Sequence, residues 1–145
     1  GLRSAEDLKI NIGNVFPGDE ERSTEVRGRN LVTGLPVNLT ITSNDLMEAM
    51  EETITTIADA VHSVLEKTPP ELAADISEKG IVMTGGGCLV HGLDKLISKR
   101  TGLDVTIAED AISCVAKGTG QSLEHMDALK DSLLTDDIKT NYKRF

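Results

Sequence analysis

The residues of this chain best suited to chemistry form a glycine-rich segment, Thr84-Gly85-Gly86-Gly87-Cys88, directly after the apolar run Ile81-Val82-Met83. Glycine permits positive φ and carries no Cβ, so another molecule can lie close to the backbone. A helix predicted to follow would present free N–H groups to a negatively charged or acceptor-rich ligand. The segment is neither a Walker loop nor the spaced Rossmann fingerprint. By itself it suits part of a nucleotide, but tight strand-to-helix turns also use glycines for packing alone.

Histidines and cysteines, the other reactive residue types, lack partners at a useful spacing. His62, His91 and His125 lie on different segments, with no neighbours spaced for a catalytic triad or a metal site. Each is interpreted as a histidine at a helix surface or boundary. Cys88 and Cys114 are interpreted as reduced thiols of the core, because two cysteines in a chain of this length do not form a disulfide framework.

Two pairs of charged residues have competing interpretations. Arg27 and Arg29 flank a glycine in a predicted strand, where they could clamp a phosphate. Pairing with carboxylates, or a role in subunit contact, is the interpretation favoured. Glu51 and Glu52 are adjacent on a predicted helix, so they do not face a common site and are interpreted as a solvated face.

Composition excludes several function classes. The 145 residues carry 15 Lys and Arg against 24 Asp and Glu, a net charge of −9, and only 2% are aromatic. An acidic chain with few aromatic rings is a poor nucleic-acid binder, because such binding depends on cationic surface and on base stacking. No apolar run approaches the roughly 20 residues that span a bilayer. A cytoplasmic protein is therefore expected, with membrane contact only through segments absent from these residues.

The hydrophobic pattern predicts the elements that position the glycine segment. The first half is expected to contain a helix over 5–12 capped by Ser4 and closed by Gly13, antiparallel strands over 24–27 and 37–42, and a long helix from Thr42 or Ser43 to Thr68. The second half is expected to contain a helix from Pro70 to Gly80, a strand over 81–83 buried on both faces, a helix carrying Leu89 to Ile97, a strand over 103–107 and a last helix from about Asp110. A strand–helix–strand unit of this kind predicts a parallel pair.

Four stretches resemble the MreB family of bacterial actins, in order and with the right gaps. They are Val26–Pro36 (VRGRNLVTGLP), Leu65–Ile76 (LEKTPPELAADI), Gly80–Gly87 (GIVMTGGG), and Ala108-Glu109-Asp110 followed by Cys114–Gly120 (CVAKGTG). The resemblance extends from about Ser4 to Glu124. It implies an α/β chain with an α+β outer part, namely the second lobe of an actin-like ATPase fold without the first lobe or either phosphate-binding hairpin. Residues 1–68 would form the outer subdomain, 69–135 the inner nucleotide-contacting subdomain with a C-terminal helix, and 136–145 a polar tail.

The same resemblance assigns a nucleotide site. It implies that an acidic residue and a lysine of the first helix contact adenine and that the glycine loop passes over the ribose and the adjoining phosphate. The residues assigned in this way are Glu6, Lys9, Thr84, Gly85, Gly86, Gly87 and Cys88. Cys88 stands where the family usually has alanine, and both are small. Without the family, Glu6 and Lys9 would be interpreted as a surface ion pair on one helix face.

The function that the resemblance implies is that of a filament-forming ATPase that determines rod cell shape by organising cell-wall synthesis. The intact parent is expected to bind ATP or ADP with Mg²⁺, to assemble with copies of itself into membrane-associated cytoplasmic filaments, and to contact cell-wall synthesis and morphogenesis proteins. The catalytic residues are expected upstream of Gly1, so this chain alone is expected neither to bind nucleotide tightly nor to hydrolyse ATP. The alternatives are a plasmid-segregation or chaperone-type relative and an interaction module that binds no nucleotide.

Overall fold

The computed structural model describes residues 1–18 and 20–126. In chain order the elements are α1 (Leu2–Ile12), β1 (Ser23–Arg29), β2 (Pro36–Thr42), α2 (Ser43–Glu66), α3 (Pro70–Lys79), β3 (Ile81–Met83), a short 3-10 helix (Gly86–Leu89), α4 (Leu93–Thr101), β4 (Val105–Ile107) and α5 (Cys114–Glu124). The polar tail predicted over 136–145, and the last part of the predicted inner subdomain, lie outside the described residues. The division of the chain at residue 68, between α2 and α3, stays a prediction.

The first helix begins earlier than predicted. The backbone N–H of Ala5 donates to the carbonyl of Gly1 at 3.1 Å, so the first turn closes on Gly1, and α1 starts at Leu2. Ser4 therefore lies inside the helix, and the prediction that it caps the helix is wrong. The predicted end is confirmed, because Gly13 follows Ile12 and its N–H donates to the carbonyl of Lys9 at 3.1 Å.

The predicted antiparallel pair is confirmed as a hairpin of β1 and β2. Its register runs from Ser23 opposite Thr42 to Arg29 opposite Pro36. Polar side chains hold the turn: Asn30 Oδ1 accepts from the backbone N–H of Val32 at 2.8 Å, and Arg29 Nε donates to the carbonyl of Gly34 at 3.0 Å. Arg29 is therefore engaged with the backbone of its own hairpin, and it forms no ion pair with a carboxylate among residues 1–18 and 20–126.

Helix α2 follows the hairpin directly and starts with a reciprocal cap. Asp45 N–H donates to Thr42 Oγ1 at 3.2 Å, and the backbone N–H of Thr42 donates to Asp45 Oδ2 at 2.8 Å. Each side chain satisfies a backbone donor that the helix start leaves free. These hydrogen bonds favour the carboxylate, so the backbone N–H of Thr42 first, and then its hydroxyl, lower the pKa of Asp45 below 3.8.

This cap predicts a pH-dependent stability. Since the pKa of Asp45 is lower in the folded chain than in the unfolded chain, its contribution is complete above the unfolded value and is lost as pH falls through the folded value. We expect the Asp45→Asn variant to be less stable than the wild type at pH 6. The difference should shrink below about pH 4. Urea unfolding at pH 6 and below about pH 4 measures this difference in stability. The Asp7→Asn variant on α1 is the charge-matched control. A difference that does not change with pH would contradict the assignment.

The predicted parallel pair is also confirmed. Ile81 lies opposite Val105, and Met83 lies opposite Ile107. The prediction that the first of these strands is buried on both faces is wrong for the described residues, because Val82 is 63% exposed. Its neighbours Ile81 and Met83 point to the opposite face and pack against the core. An apolar run alone does not say whether both faces of a strand are covered.

The core lies between α2, α4 and the β3–β4 pair. Val15, Ala58, Leu93 and Ile97 form its buried centre, and Ile97 is only 2% exposed. Partly buried residues of α2, α4 and both short strands pack around this centre: Met50, Ile54, Val61, Ile81, Met83, Val90, Leu96 and Val105. Met50, Ile54, Ala58 and Val61 of α2 belong to this cluster, so they form the side of the helix that faces the core. Ile57 and Val64 of the same helix are 42% and 66% exposed.

The helix predicted after the glycines is interrupted. The four-residue 3-10 helix ends at Leu89, and α4 begins only at Leu93. Between them the chain is extended because it pairs with the segment after α1: Val15 N–H donates to the carbonyl of His91 at 3.0 Å. Gly92 then has φ +81, and a Cβ there would lie 2.5 Å from the Cβ of Phe16. A continuous helix is therefore incompatible with the packing of residues 14–16 on this segment.

The last helix begins at Cys114, four residues after the predicted start at about Asp110. The chain turns before it, and Ser113 N–H donates to the carbonyl of Asp110 at 3.1 Å. The ammonium of Lys117 pairs with the carboxylate of Asp110 and lowers its pKa. Asp110 therefore precedes the helix and contacts it through its side chain.

Candidate functional site

The glycine loop faces α1 across a cavity of about 440 Å³. From α1 the cavity is lined by Glu6, Lys9 and Ile10, and from the loop by Gly86, Gly87, Leu89 and Val90, with Ile112 closing a third side. Four of the seven predicted site residues thus meet at one cavity, although Glu6 and Gly86 are 80 positions apart in the sequence. The cavity combines a carboxylate, an ammonium group, bare backbone and apolar side chains.

Three predicted residues do not line this cavity, and two of them support the loop from behind. Gly85 has φ +83, and its N–H donates to the carbonyl of Ala111 at 2.6 Å, which joins the loop to the turn before α5. Cys88 is 4% exposed, and its thiol donates to the carbonyl of Gly85 at 2.9 Å. Thr84 is exposed and connects β3 to the loop. Gly85 and Cys88 therefore shape the loop, while Gly86 and Gly87 present it to the cavity.

The charged residues of α1 are available to a ligand. Glu6 and Lys9 lie one helical turn apart, and the described residues show no ion pair between them. Lys9 is half-buried, whereas Glu6 is exposed. A carboxylate accepts hydrogen bonds and an ammonium group donates them, so the two can address both a donor and an acceptor on one ligand edge.

The apolar lining was missed by sequence reasoning. Ile10 lies one turn after Glu6 on α1, so its position could have been derived from the helix period. Leu89 and Val90 were expected only to lie on a continuous helix after the glycines. Ile112 comes from the turn before α5, and no sequence periodicity connects it to α1. The hydrogen bond from the Gly85 N–H to the Ala111 carbonyl, together with the β3–β4 pairing, brings that turn to the glycine loop.

The histidines and cysteines form no second centre in the part of the chain that the structure describes. His62 Nδ1 lies 3.6 Å from Glu66 Oε1, one turn along the surface of α2. Both cysteines are free; Cys88 is buried, whereas Cys114 is only partly so. Among residues 1–18 and 20–126, no group of three or more His, Cys, Asp or Glu side chains could hold a metal ion.

None of the helices in the described ranges combines the length and the apolar character that crossing a membrane requires.

The architecture defines the class of protein. A parallel strand pair leads into a glycine loop, a helix faces that loop across a cavity, and a long helix and a hairpin complete the chain, as in the second lobe of an actin-like fold. The family model described as MreB/Mbl protein matches residues 1–131. The chain therefore belongs to the MreB/Mbl family of cell shape-determining actin homologues.

Individual relatives agree with this assignment. The chain is 48% identical over 137 residues to the cell shape-determining protein MreB of Escherichia coli (strain K12), covering 94% of this chain and 40% of that protein. It is 45% identical over 129 residues to the cell shape-determining protein Mbl of Bacillus subtilis (strain 168), covering 89% and 39%. The crystal structure of MreB 5 of Spiroplasma citri bound to AMPPNP superposes with a TM-score of 0.82 at 36% identity, over 92% of this chain and 40% of that chain.

The chain thus spans about 40% of the length of the curated relatives that it matches. The resemblance to the MreB family and the actin-like fold class, both expected from the four sequence motifs, are confirmed.

Proposed function

We propose that this chain supplies one wall of the nucleotide site of an ATP-binding, filament-forming protein that determines rod cell shape. The observation that carries the proposal is the cavity in which Glu6 and Lys9 of α1 face Gly86 and Gly87 of the glycine loop. The structure of the Spiroplasma citri relative was solved bound to AMPPNP, and another structure of the same protein was solved bound to ADP. These ligands of a relative support the choice of ATP and ADP here.

The α1 side of the cavity suits an adenine base. Adenine has two flat apolar faces, which Ile10, Leu89 and Ile112 can contact. Its edge carries an amino group, which can donate to the Glu6 carboxylate, and ring nitrogens, which can accept from the Lys9 ammonium group. At about 440 Å³ the cavity is large enough for a base and its sugar.

The loop side suits the ribose and the adjoining phosphate. An ideal Cβ placed on Gly86 or Gly87 would meet no atom within 4 Å, so the space above both residues is open. A ligand can therefore approach the backbone directly. Gly85 and Cys88 would act by holding the loop in this shape, and Thr84 would connect it to β3. Mg²⁺ and the outer phosphates would be held by parts of a longer protein that have no counterpart in these residues.

The remaining parts of the proposal concern assembly and place in the cell. Filaments would form from copies of the longer protein on the cytoplasmic side of the membrane. Their partners would be cell-wall synthesis and membrane-associated morphogenesis proteins, in agreement with relatives named for determining cell shape. Nucleic acid is not a proposed partner, because the chain has a net charge of −9.

Nucleotide titration tests the proposal. We expect the 145-residue chain to bind ATP with a dissociation constant weaker than roughly 1 mM and to show no hydrolysis above background, because it offers only the adenine and ribose contacts. A full-length protein containing this chain should bind at least a hundredfold more tightly and sediment as filaments when ATP is added. Isothermal titration calorimetry, phosphate release and sedimentation measure the three properties.

Two results would contradict the proposal. Micromolar affinity in the 145-residue chain would show that the site is complete within these residues. A full-length protein that binds no nucleotide would instead support an interaction module that retains the fold without the ligand. AMP serves as the control ligand, since it keeps the base, the ribose and one phosphate. Its affinity should differ little between the short and the full-length protein.

A further inference from the structure

A second cavity lies on the other side of the core, between the first half of α2, α4 and the segment that follows α1. Its volume is about 470 Å³. Its apolar wall is formed by Val15, Pro17, Met47, Ile54 and Leu96. None of these residues lines the cavity at the glycine loop, so the proposed nucleotide site leaves this cavity without a role.

Two acidic residues and one basic residue line this cavity. Arg100 already donates to Asp59 Oδ1 at 3.1 Å and to Thr55 Oγ1 at 3.4 Å. Glu48 and Glu51 also line the cavity, are exposed, and have no ion-pair partner among the described residues. They lie three positions apart on α2 and so share one face of the helix. The cavity therefore offers an apolar wall beside two free carboxylates, which matches a basic group next to an aromatic ring.

The last seven residues of the chain have this composition. Residues 139–145 contain Lys139, Lys143 and Arg144 and no acidic residue, in a chain whose net charge is −9. Tyr142 and Phe145 are two of its three aromatic residues. This segment is opposite in charge to the rest of the chain and richer in aromatic rings.

We propose that residues 139–145 bind in the cavity between α2 and α4 of the same chain. The aromatic ring of Tyr142 would contact the apolar wall, and the neighbouring cations of Lys143 and Arg144 would pair with Glu48 and Glu51. The connection is long enough: 12 residues separate Met126 from Lys139. Extended, they reach about 40 Å, roughly the diameter of a compact chain of this length.

Tyrosine fluorescence tests this directly, because Tyr142 is the only tyrosine and the chain has no tryptophan. Acrylamide, which is neutral, should quench Tyr142 in the 145-residue chain at least about twofold less efficiently than in a free 139–145 peptide, since cavities of this kind cover most of a bound group. The Glu48→Lys/Glu51→Lys variant should lose this protection. The control Glu71→Lys/Glu78→Lys changes the charge equally on α3 and should keep it.

Exchanging the charges of the two partners distinguishes a loss of ion pairing from a change in folding. The Lys143→Glu/Arg144→Glu variant leaves residues 1–126 unaltered and should also lose protection, and combining it with Glu48→Lys/Glu51→Lys should restore protection. Equal quenching in the wild type and in the peptide would overturn the proposal. So would protection that appears only as protein concentration rises, which indicates a second copy. Protection that requires phosphatidylglycerol vesicles would assign the segment to a membrane surface and would equally overturn it.

Discussion

Replacing Gly86 with valine is expected to lower the nucleotide affinity of a full-length protein containing this chain at least tenfold, about 1.4 kcal/mol. Gly86 lines the cavity that faces Glu6 and Lys9. A Cβ there would meet no atom within 4 Å, and Gly86 does not have a positive φ. The chain can therefore accommodate the valine, and the branched side chain occupies space where the ribose or phosphate would lie. Calorimetric titration with ADP measures the change.

The matched control for this variant is Gly28→Val on β1, a glycine whose Cβ would also meet nothing within 4 Å. Both variants should unfold close to the temperature of the wild type, and only the Gly86 variant should lose affinity. Gly85 is not a suitable test position, because its φ of +83 makes any side chain strained whether or not a ligand binds. Unchanged affinity in a folded Gly86→Val protein would mean that the nucleotide does not lie against this loop.

Replacing Gly80 with alanine is expected to destabilise the 145-residue chain by about 3 kcal/mol and to lower its melting temperature by roughly 10 °C. Gly80 joins α3 to β3 with φ +76 and ψ −167, a region that is almost restricted to glycine. A Cβ would also lie 2.5 Å from the carbonyl oxygen of Asp104, the atom that accepts the N–H of Ile81 at 2.8 Å. The substitution thus disturbs the start of the β3–β4 pair.

The Gly102→Ala variant serves as the comparison, because it changes a glycine of positive φ that has no close contact. Gly102 follows α4 with φ +72 and ψ 12, but a Cβ there would meet no atom within 4 Å. The substitution should therefore lower the free energy of unfolding only by the cost of a left-handed backbone conformation, about 1 kcal/mol. Thermal unfolding followed by circular dichroism compares both variants with the wild type. If the two substitutions destabilise the chain equally, the close contact between Gly80 and Asp104 does not contribute.

The sequence motifs predicted which residues lie at the candidate site, but not how each of them is oriented. The resemblance to the MreB family selected Glu6, Lys9, Gly86 and Gly87, and these do meet at one cavity. It also selected Cys88, which lies behind the loop. A motif identifies which residues belong together, but it does not say which of them face the ligand and which hold the backbone. That distinction depends on side-chain direction, which is set by packing.

Most helices and strands could be predicted from the sequence, because they depend on local interactions. The hairpin, the cap at Thr42, the long helix α2 and the glycine at the end of α3 each depend on residues close together in the chain, so periodicity and turn chemistry predict them.

The remaining features depend on contacts between residues that are far apart in the sequence. The helix breaks at Gly92 because residues 14–16 pack on it. Ile112 reaches the cavity because the carbonyl of Ala111 accepts a hydrogen bond from Gly85. Val82 is exposed because no described element covers its face of β3. A sequence pattern shows that a residue is apolar or flexible, whereas its burial and its role depend on which distant segment packs against it, and only the tertiary structure contains that information.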